Sequence, residues 1–389
     1  MSESIHSTGI TKRDFIRCCA LGVGGLMVGV NRLSSFTCPL EHASFDPNSD
    51  ELWKWSKEAL FYEKTAEGVQ CHKCPHGCFL ANGDAGICRN RINYNGTMYS
   101  IAYGNPCAVH IDPVEKKPLF HFLPSTKAYS IAAAGCNLRC LNCQNWQISQ
   151  FSPKETQNYD LMPPQVVEEC LKSGSESIAY TYGEPTTFYE YAFDTATLAH
   201  EKKIKNIWKS SGYINEEPLR KICTVIDAAN IDLKGFDQDM YQKLNGVNLL
   251  PVLNTLKTIK KEGVWLEITN LIIPGWSDNL SVLKKMYEWL VANGLAACPV
   301  HITRFMPLYK LTYVPTTPVA TLEKAHELAV NAGIHYAYIG NVPGHTCENT
   351  FCFNCKKMVI ERRGFQILQN NIIKSACKFC GEIIPGVWV

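Results

Sequence analysis

Short apolar runs of strand character alternate with amphipathic stretches of helical character from about residue 128 to about residue 340, and this alternation constrains the fold more than any other feature. The strand-like runs cover 128–134, 177–182, 206–210, 229–233, 264–273, 300–305 and 336–339. Helical patterns fill the intervals at 164–173, 187–202, 216–223, 238–244 with 252–261, 280–293 and 321–332. A repeated strand–helix unit joins parallel neighbours through right-handed crossovers, so an α/β fold on a parallel sheet is expected.

The first of those runs closes on a glycine and leads into Gly135-Cys-Asn-Leu-Arg-Cys-Leu-Asn-Cys-Gln-Asn-Trp146. Cys136, Cys140 and Cys143 thus stand at C-x3-C-x2-C on the loop leaving a buried strand. Thiolates select soft metals and iron–sulfur clusters. A cubane has four irons, so three crowded thiols leave one iron open, as a cluster needs if it is to bind a small molecule and also store an electron. The alternative is a zinc knuckle completed by a distant ligand, although zinc sites usually pair C-x2-C units.

The chain carries 19 cysteines, and eight more of them are grouped. Cys71, Cys74, Cys78 and Cys88 lie among glycines and a proline in a compact loop suited to zinc or to a second cluster. Cys352 and Cys355 face Cys377 and Cys380 across 21 residues, just beyond the ~15–20 of four-cysteine zinc ribbons. The interval at 358–368 reads as two short strands around a turn, closed by a structural zinc or by iron bound as in rubredoxin. The remaining cysteines are expected as small buried hydrophobes. Such grouping suits metal sites in a reducing compartment better than disulfides. A net charge of +2 without a basic block gives no nucleic-acid footprint.

The stretch from Gly135 to Trp146 resembles the cluster motif of the radical S-adenosylmethionine (SAM) superfamily. Over roughly residues 60–389 the chain resembles the radical SAM enzyme of the AmmeMemoRadiSam system, related to pyruvate formate-lyase activating enzymes. The supporting stretches are Cys71-x2-Cys-Pro-x2-Cys78, Thr181-Tyr-Gly-Glu-Pro-Thr186, Asp232-Leu-Lys234, Pro274-Gly-Trp-Ser-Asp278 and Arg304-Phe-Met-Pro-Leu-Tyr309. The resemblance implies a partial (β/α)6 TIM-type barrel at 126–345. It would lie between an N-terminal cysteine-rich module at 51–125 and a C-terminal zinc-ribbon-like module at 346–389, after a tail at 1–50. It implies a [4Fe–4S] cluster on Cys136, Cys140 and Cys143, with SAM bound at the carboxyl ends of the strands. Gly183 would offer backbone and Glu184 would accept from the SAM ammonium, while Ser211, Asp232 and Lys234 would complete the SAM pocket. Two positions depart from the family: Asn142 stands where an aromatic residue is common, with Trp146 nearby, and Lys209 stands at an acidic position.

Thr269, Asn270, His301, Arg304 and His345 are the candidate substrate-pocket residues, the last on a glycine-punctuated loop expected to cap the pocket. Thr269 and Asn270 are adjacent and must face opposite sides of their strand. The expected activity is reductive cleavage of SAM to a 5′-deoxyadenosyl radical that takes hydrogen from a protein or small molecule linked to the AmmeMemoRadiSam system. The alternatives are a glycyl-radical enzyme activase and, from another class, a non-catalytic iron–sulfur electron carrier. The implied partners are an electron donor such as flavodoxin or ferredoxin and a substrate protein, with no nucleic acid and no stable membrane span. SAM chemistry argues for the cytoplasm. Thr11-Lys-Arg-Asp-Phe-Ile16 and the apolar stretch at 20–30 resemble a twin-arginine export signal and leave export or membrane association open.

Overall fold

Eight strands form one sheet in sequential order: β1 (Ala108–Pro113), β2 (Lys127–Ala132), β3 (Ser177–Tyr180), β4 (Lys205–Ser210), β5 (Ala228–Asp232), β6 (Trp265–Ile272), β7 (Val300–Arg304) and β8 (Ala337–Gly340). The computed structural model describes residues 54–388, so the signal-like segment at 1–50 lies outside the described residues. From β2 to β8 every pair is parallel, and β1 joins β2 antiparallel, from Ala108 opposite Ala132 to Pro113 opposite Lys127. The order never reverses, so the crossovers advance in one direction around an unclosed barrel with β1 and β8 as its edges.

Six helices cover the outer face: α1 (Pro163–Lys172), α2 (Tyr189–Glu201), α3 (Glu216–Cys223), α4 (Leu249–Lys261), α5 (Leu280–Ala292) and α6 (Val319–Ala332). Local sequence sets their starts. Pro163 opens α1, and Asn279 caps α5 by accepting from Ser281 N at 3.0 Å and Val282 N at 3.3 Å. On β6, Leu266, Ile268 and Ile272 belong to the large core shared with the helices, which fixes that parity as the outer face. Glu267 and Thr269 therefore face inward.

The inner face at the amino ends of the strands is filled by the lead-in after β1. Val114, Leu119 and Phe122 pack on Ala128, Ala179, Ile207 and Ala228 as a plug. Glu267, fully buried, accepts from Phe120 N, His121 N at 2.8 Å and His301 Nε2 at 2.6 Å. A buried carboxylate without such donors would cost several kcal/mol, so these bonds hold the plug in one register.

Two smaller pieces attach to this frame. Short strands at 57–58, 91–94 and 97–100, and at 62–64, 69–71 and 79–80, make the N-terminal module. It is anchored by the ion pair of buried Arg91 with buried Glu190 of α2, and breaking such a pair costs about 3–5 kcal/mol. The C-terminal piece has the expected pair of strands, Met358–Arg363 and Gln366–Asn370, antiparallel about Gly364. Arg362 joins it to the plug, donating to the Phe120 carbonyl at 2.9 Å and lying over the Phe120 ring.

Candidate cluster and cofactor site

The loop after β2 carries Cys136, Cys140 and Cys143 at the carboxyl end of the sheet, and each sulfur meets a hydrogen-bonding group. Leu138 N donates to Cys136 Sγ at 3.3 Å, Asn245 Nδ2 donates to Cys140 Sγ at 3.1 Å, and Cys143 Sγ lies 3.0 Å from Ser149 Oγ. Asn245 ends a π-helical turn, Tyr241–Asn245, whose carbonyls also receive Arg139 N and Leu141 N at 2.8 and 2.9 Å. Burial first, then the charge of Glu184, pushes the Cys136 thiol well above its ordinary range. Burial also raises Cys140 against the opposing pull of Lys234. Buried thiols such as Cys136 and Cys140 become thiolates only beside compensating positive charge, which an iron core supplies.

The loops after β3, β4 and β5 close on this one. Gly183 backs onto the end of β2 so tightly that a Cβ there would lie 2.9 Å from the Ala133 carbonyl oxygen. Glu184 is buried and accepts from Thr186 N and Oγ1 at 3.1 and 2.7 Å, from Ser210 Oγ at 2.6 Å, and from Ser211 N and Oγ at 2.8 and 2.6 Å. A carboxylate offers about four lone-pair sites, so those donors already fill it. Glu184 thereby ties the end of β3 to the end of β4, with Ser211 in the same knot.

Asp232, at the end of β5, pairs with Lys209 of β4 and, at 3.0 Å, with Lys234. Burial alone would raise its carboxyl, but the two ammonium groups prevail and hold it at about 2. The three side chains stay 18–27% exposed, so the cluster of charge remains within reach of solvent. Lys209 Nζ also donates to Asn230 Oδ1 at 2.7 Å, where Thr269 Oγ1 arrives at 2.8 Å, placing Thr269 on this inner face.

Three other expected pocket residues lie elsewhere. Asn270 is on the outer face of β6 and donates to the Leu233 carbonyl at 2.8 Å. His301 is buried lower in the barrel, bonded to Glu267 and stacked on Tyr338, because the plug needs the carboxylate that it helps to fix. His345 accepts from Cys347 N at 3.1 Å, capping a short turn at Thr346–Glu348, and lies 3.4 Å from Glu323 of α6, so its loop packs on a helix. Arg304, at the end of β7, donates to the Thr317 carbonyl at 2.8 Å. Trp146 stacks on Tyr309 with ring centroids 5.2 Å apart.

Away from these loops, the sulfurs of Cys352, Cys355, Cys377 and Cys380 all lie within 4.8 Å of one another. Cys352–Cys380 and Cys355–Cys377 are each 3.7 Å apart, matching the edge of about 3.8 Å that four Zn–S bonds of ~2.3 Å impose on a tetrahedron. Such a quartet could hold one metal ion.

The sequence profile of the radical SAM superfamily matches residues 130–290, which span the cysteine loop and the three loops that close on it. An uncharacterized protein of Methanocaldococcus jannaschii is 46% identical over 334 residues, 85% of this chain and 99% of that relative. The chain belongs to the radical SAM superfamily. The pyruvate formate-lyase 1-activating enzyme of Escherichia coli (strain K12) is 25% identical over 151 residues, 37% of this radical SAM chain and 61% of that enzyme. Among solved structures, a radical SAM methyltransferase from Sphaerobacter thermophilus aligns at 16% identity and a TM-score of 0.43, covering 56% of this chain and 67% of that one. Membership implies a [4Fe–4S] cluster, SAM and an enzyme. Among the described residues no helix is long and apolar enough to cross a membrane.

Proposed function

We propose that this radical SAM enzyme holds its cluster on Cys136, Cys140 and Cys143, binds SAM across the loops after β3 to β5, and takes hydrogen from a protein or small molecule of the AmmeMemoRadiSam set. The observation that carries the proposal is the convergence of the thiol loop, the Gly183 backbone and the Asp232–Lys234 pair at one end of one sheet. When bound and reduced by a one-electron donor such as flavodoxin or ferredoxin, the cluster supplies the electron that splits SAM into methionine and a 5′-deoxyadenosyl radical. The chain's own part is to orient and to shield. Lys234 and Asp232 present opposite charges that match the zwitterionic amino-acid end of SAM. Asn142 Oδ1, buried without a hydrogen-bond partner, offers an acceptor for the adenine amino group where relatives often have an aromatic ring. The C-terminal quartet takes one structural zinc, and Arg362 passes that rigidity to the plug.

The similarity to an enzyme named for activating pyruvate formate-lyase favours, as a second reading, hydrogen abstraction from a glycyl residue of a partner protein. That reading alone requires a stable complex with a glycyl-radical enzyme and a glycine-centred EPR signal.

Anaerobic reconstitution with iron and sulfide, followed by reduction with SAM present, tests the proposal. Mass spectrometry should find 5′-deoxyadenosine and methionine from the wild type and neither from Cys140→Ala. Equal yields from the two, or reduction without consumption of SAM, would overturn it.

A further inference from the structure

We infer that Cys71, Cys74, Cys78 and Cys88 hold a second [4Fe–4S] cluster, built against the very loop that carries Cys136, Cys140 and Cys143. All four residues line one small cavity of about 10 Å³. The sulfurs of Cys78 and Cys88 converge beside Gly86, where a Cβ would lie 3.9 and 3.8 Å from them. Among the described residues no three of these four sulfurs come mutually within the 4.8 Å that the C-terminal sulfurs keep. A single zinc, at about 2.3 Å from each sulfur, needs sulfur–sulfur edges of about 3.8 Å, which the C-terminal quartet already has. A polynuclear core suits the wider spacing of the N-terminal sulfurs.

The surroundings suit the net negative charge of a cluster on four thiolates. Arg91 Nη1 donates to Cys71 Sγ at 3.3 Å, and the buried ammonium of Lys73 lies on the same cavity wall. Hydrogen bonds to cluster sulfur and nearby cations are the means by which a protein tunes such a centre.

Its location gives it a purpose. Asn137, between two residues of the C-x3-C-x2-C loop, forms part of the cavity wall, and the Asn137 carbonyl lies 2.7 Å from His76 Nε2. Arg139 of the same loop donates to the Ile87 carbonyl at 2.7 Å, and Asn90 donates to the Ala134 carbonyl at 2.6 Å. Gly135, at φ +94°, sits where a Cβ would come within 2.5 Å of the Cys88 carbonyl oxygen. The second centre is thus an electron store adjoining the cluster loop, to be filled by a low-potential one-electron carrier.

The test counts acid-labile sulfide, which a mononuclear C-terminal site does not contribute. The anaerobically reconstituted full-length wild type should hold about eight sulfides per chain, two cubanes' worth. The Cys136→Ala, Cys140→Ala, Cys143→Ala triple variant should keep about four, with a cubane Mössbauer spectrum, and Cys74→Ser should also keep about four. A wild type with about four sulfides, or a triple variant with none, would overturn the inference, as would zinc filling the N-terminal site in the wild type. Sulfide content does not depend on SAM cleavage, so the outcome stands apart from the proposed activity.

Discussion

Asn245 donates its side-chain amide to the sulfur of Cys140 at 3.1 Å across 105 positions of sequence, so a π-helical turn after β5 helps to set the charge at the cluster loop after β2. With Cys140 as the proposed cluster ligand, the contact acts from outside the ligand set, where substitution typically costs about 10–100-fold in affinity or activity. Asn245→Ala should therefore keep its iron and shift the cluster to a lower reduction potential, since the amide stabilises the more negative state. Potentiometric titration followed by EPR measures the shift, and an unchanged potential would remove Asn245 from the account.

Glu184 gathers five donors from two loops, and the prediction follows from what they lose. Glu184→Ala leaves several buried N–H and O–H groups unpaired at about 1–3 kcal/mol each, so the urea midpoint should fall well outside error. Glu184→Gln keeps one acceptor and should fall between that variant and the wild type. If both variants unfold at the wild-type midpoint, the knot is not a structural one.

The plug predicts a pH dependence. His121 Nδ1 faces the Pro385 carbonyl at 2.7 Å and must donate to it, so Nε2 accepts from Tyr338 Oη at 2.6 Å and the ring is neutral. Burial leads in lowering its pKa to about 4, against the pull of Glu267 and with Arg362 and His301 adding to the decrease. The unfolded chain takes up a proton near pH 6.5 and the folded one only near 4, so stability is full above that window and is lost as pH falls through it. The loss is on the order of 3 kcal/mol. Urea unfolding at pH 7 and pH 5 should show a steeper fall for wild type than for His121→Gln, and parallel slopes would contradict the assignment.

Removal of the C-terminal metal should be local. Cys377→Ser should release one metal ion per chain and expose 350–384 to limited proteolysis, while the barrel retains its circular dichroism. Intact protease resistance after metal loss would show that the Arg362 and Phe120 contacts suffice alone.

Strands β2 to β8 were legible because strands buried on both faces are nearly continuous apolar runs, and β3 is buried at every residue. The edge strand β1 was not, since its pattern at Ala108–Pro113 is largely exposed and it pairs antiparallel with β2. The C-terminal cysteine quartet was legible from spacing alone. His301 and Asn270 were misplaced for a geometric reason: strand parity fixes the face only after one neighbour's direction is known. Depth along the barrel depends on the plug, which no local pattern announces. Asn245 gave no signal, being one polar residue on an irregular turn. The contact it makes exists only in the folded chain.

The proposed centre is an iron cube held at three corners by Cys136, Cys140 and Cys143 with its fourth corner open to SAM. EPR of the reduced protein, recorded with and without SAM, tests it most directly. The Cys74→Ser variant serves as background, so that only the cluster on the β2 loop contributes. A [4Fe–4S] signal is expected whose g-values move when SAM is added and which disappears when Cys140→Ala is added to that background. A signal indifferent to SAM would contradict it.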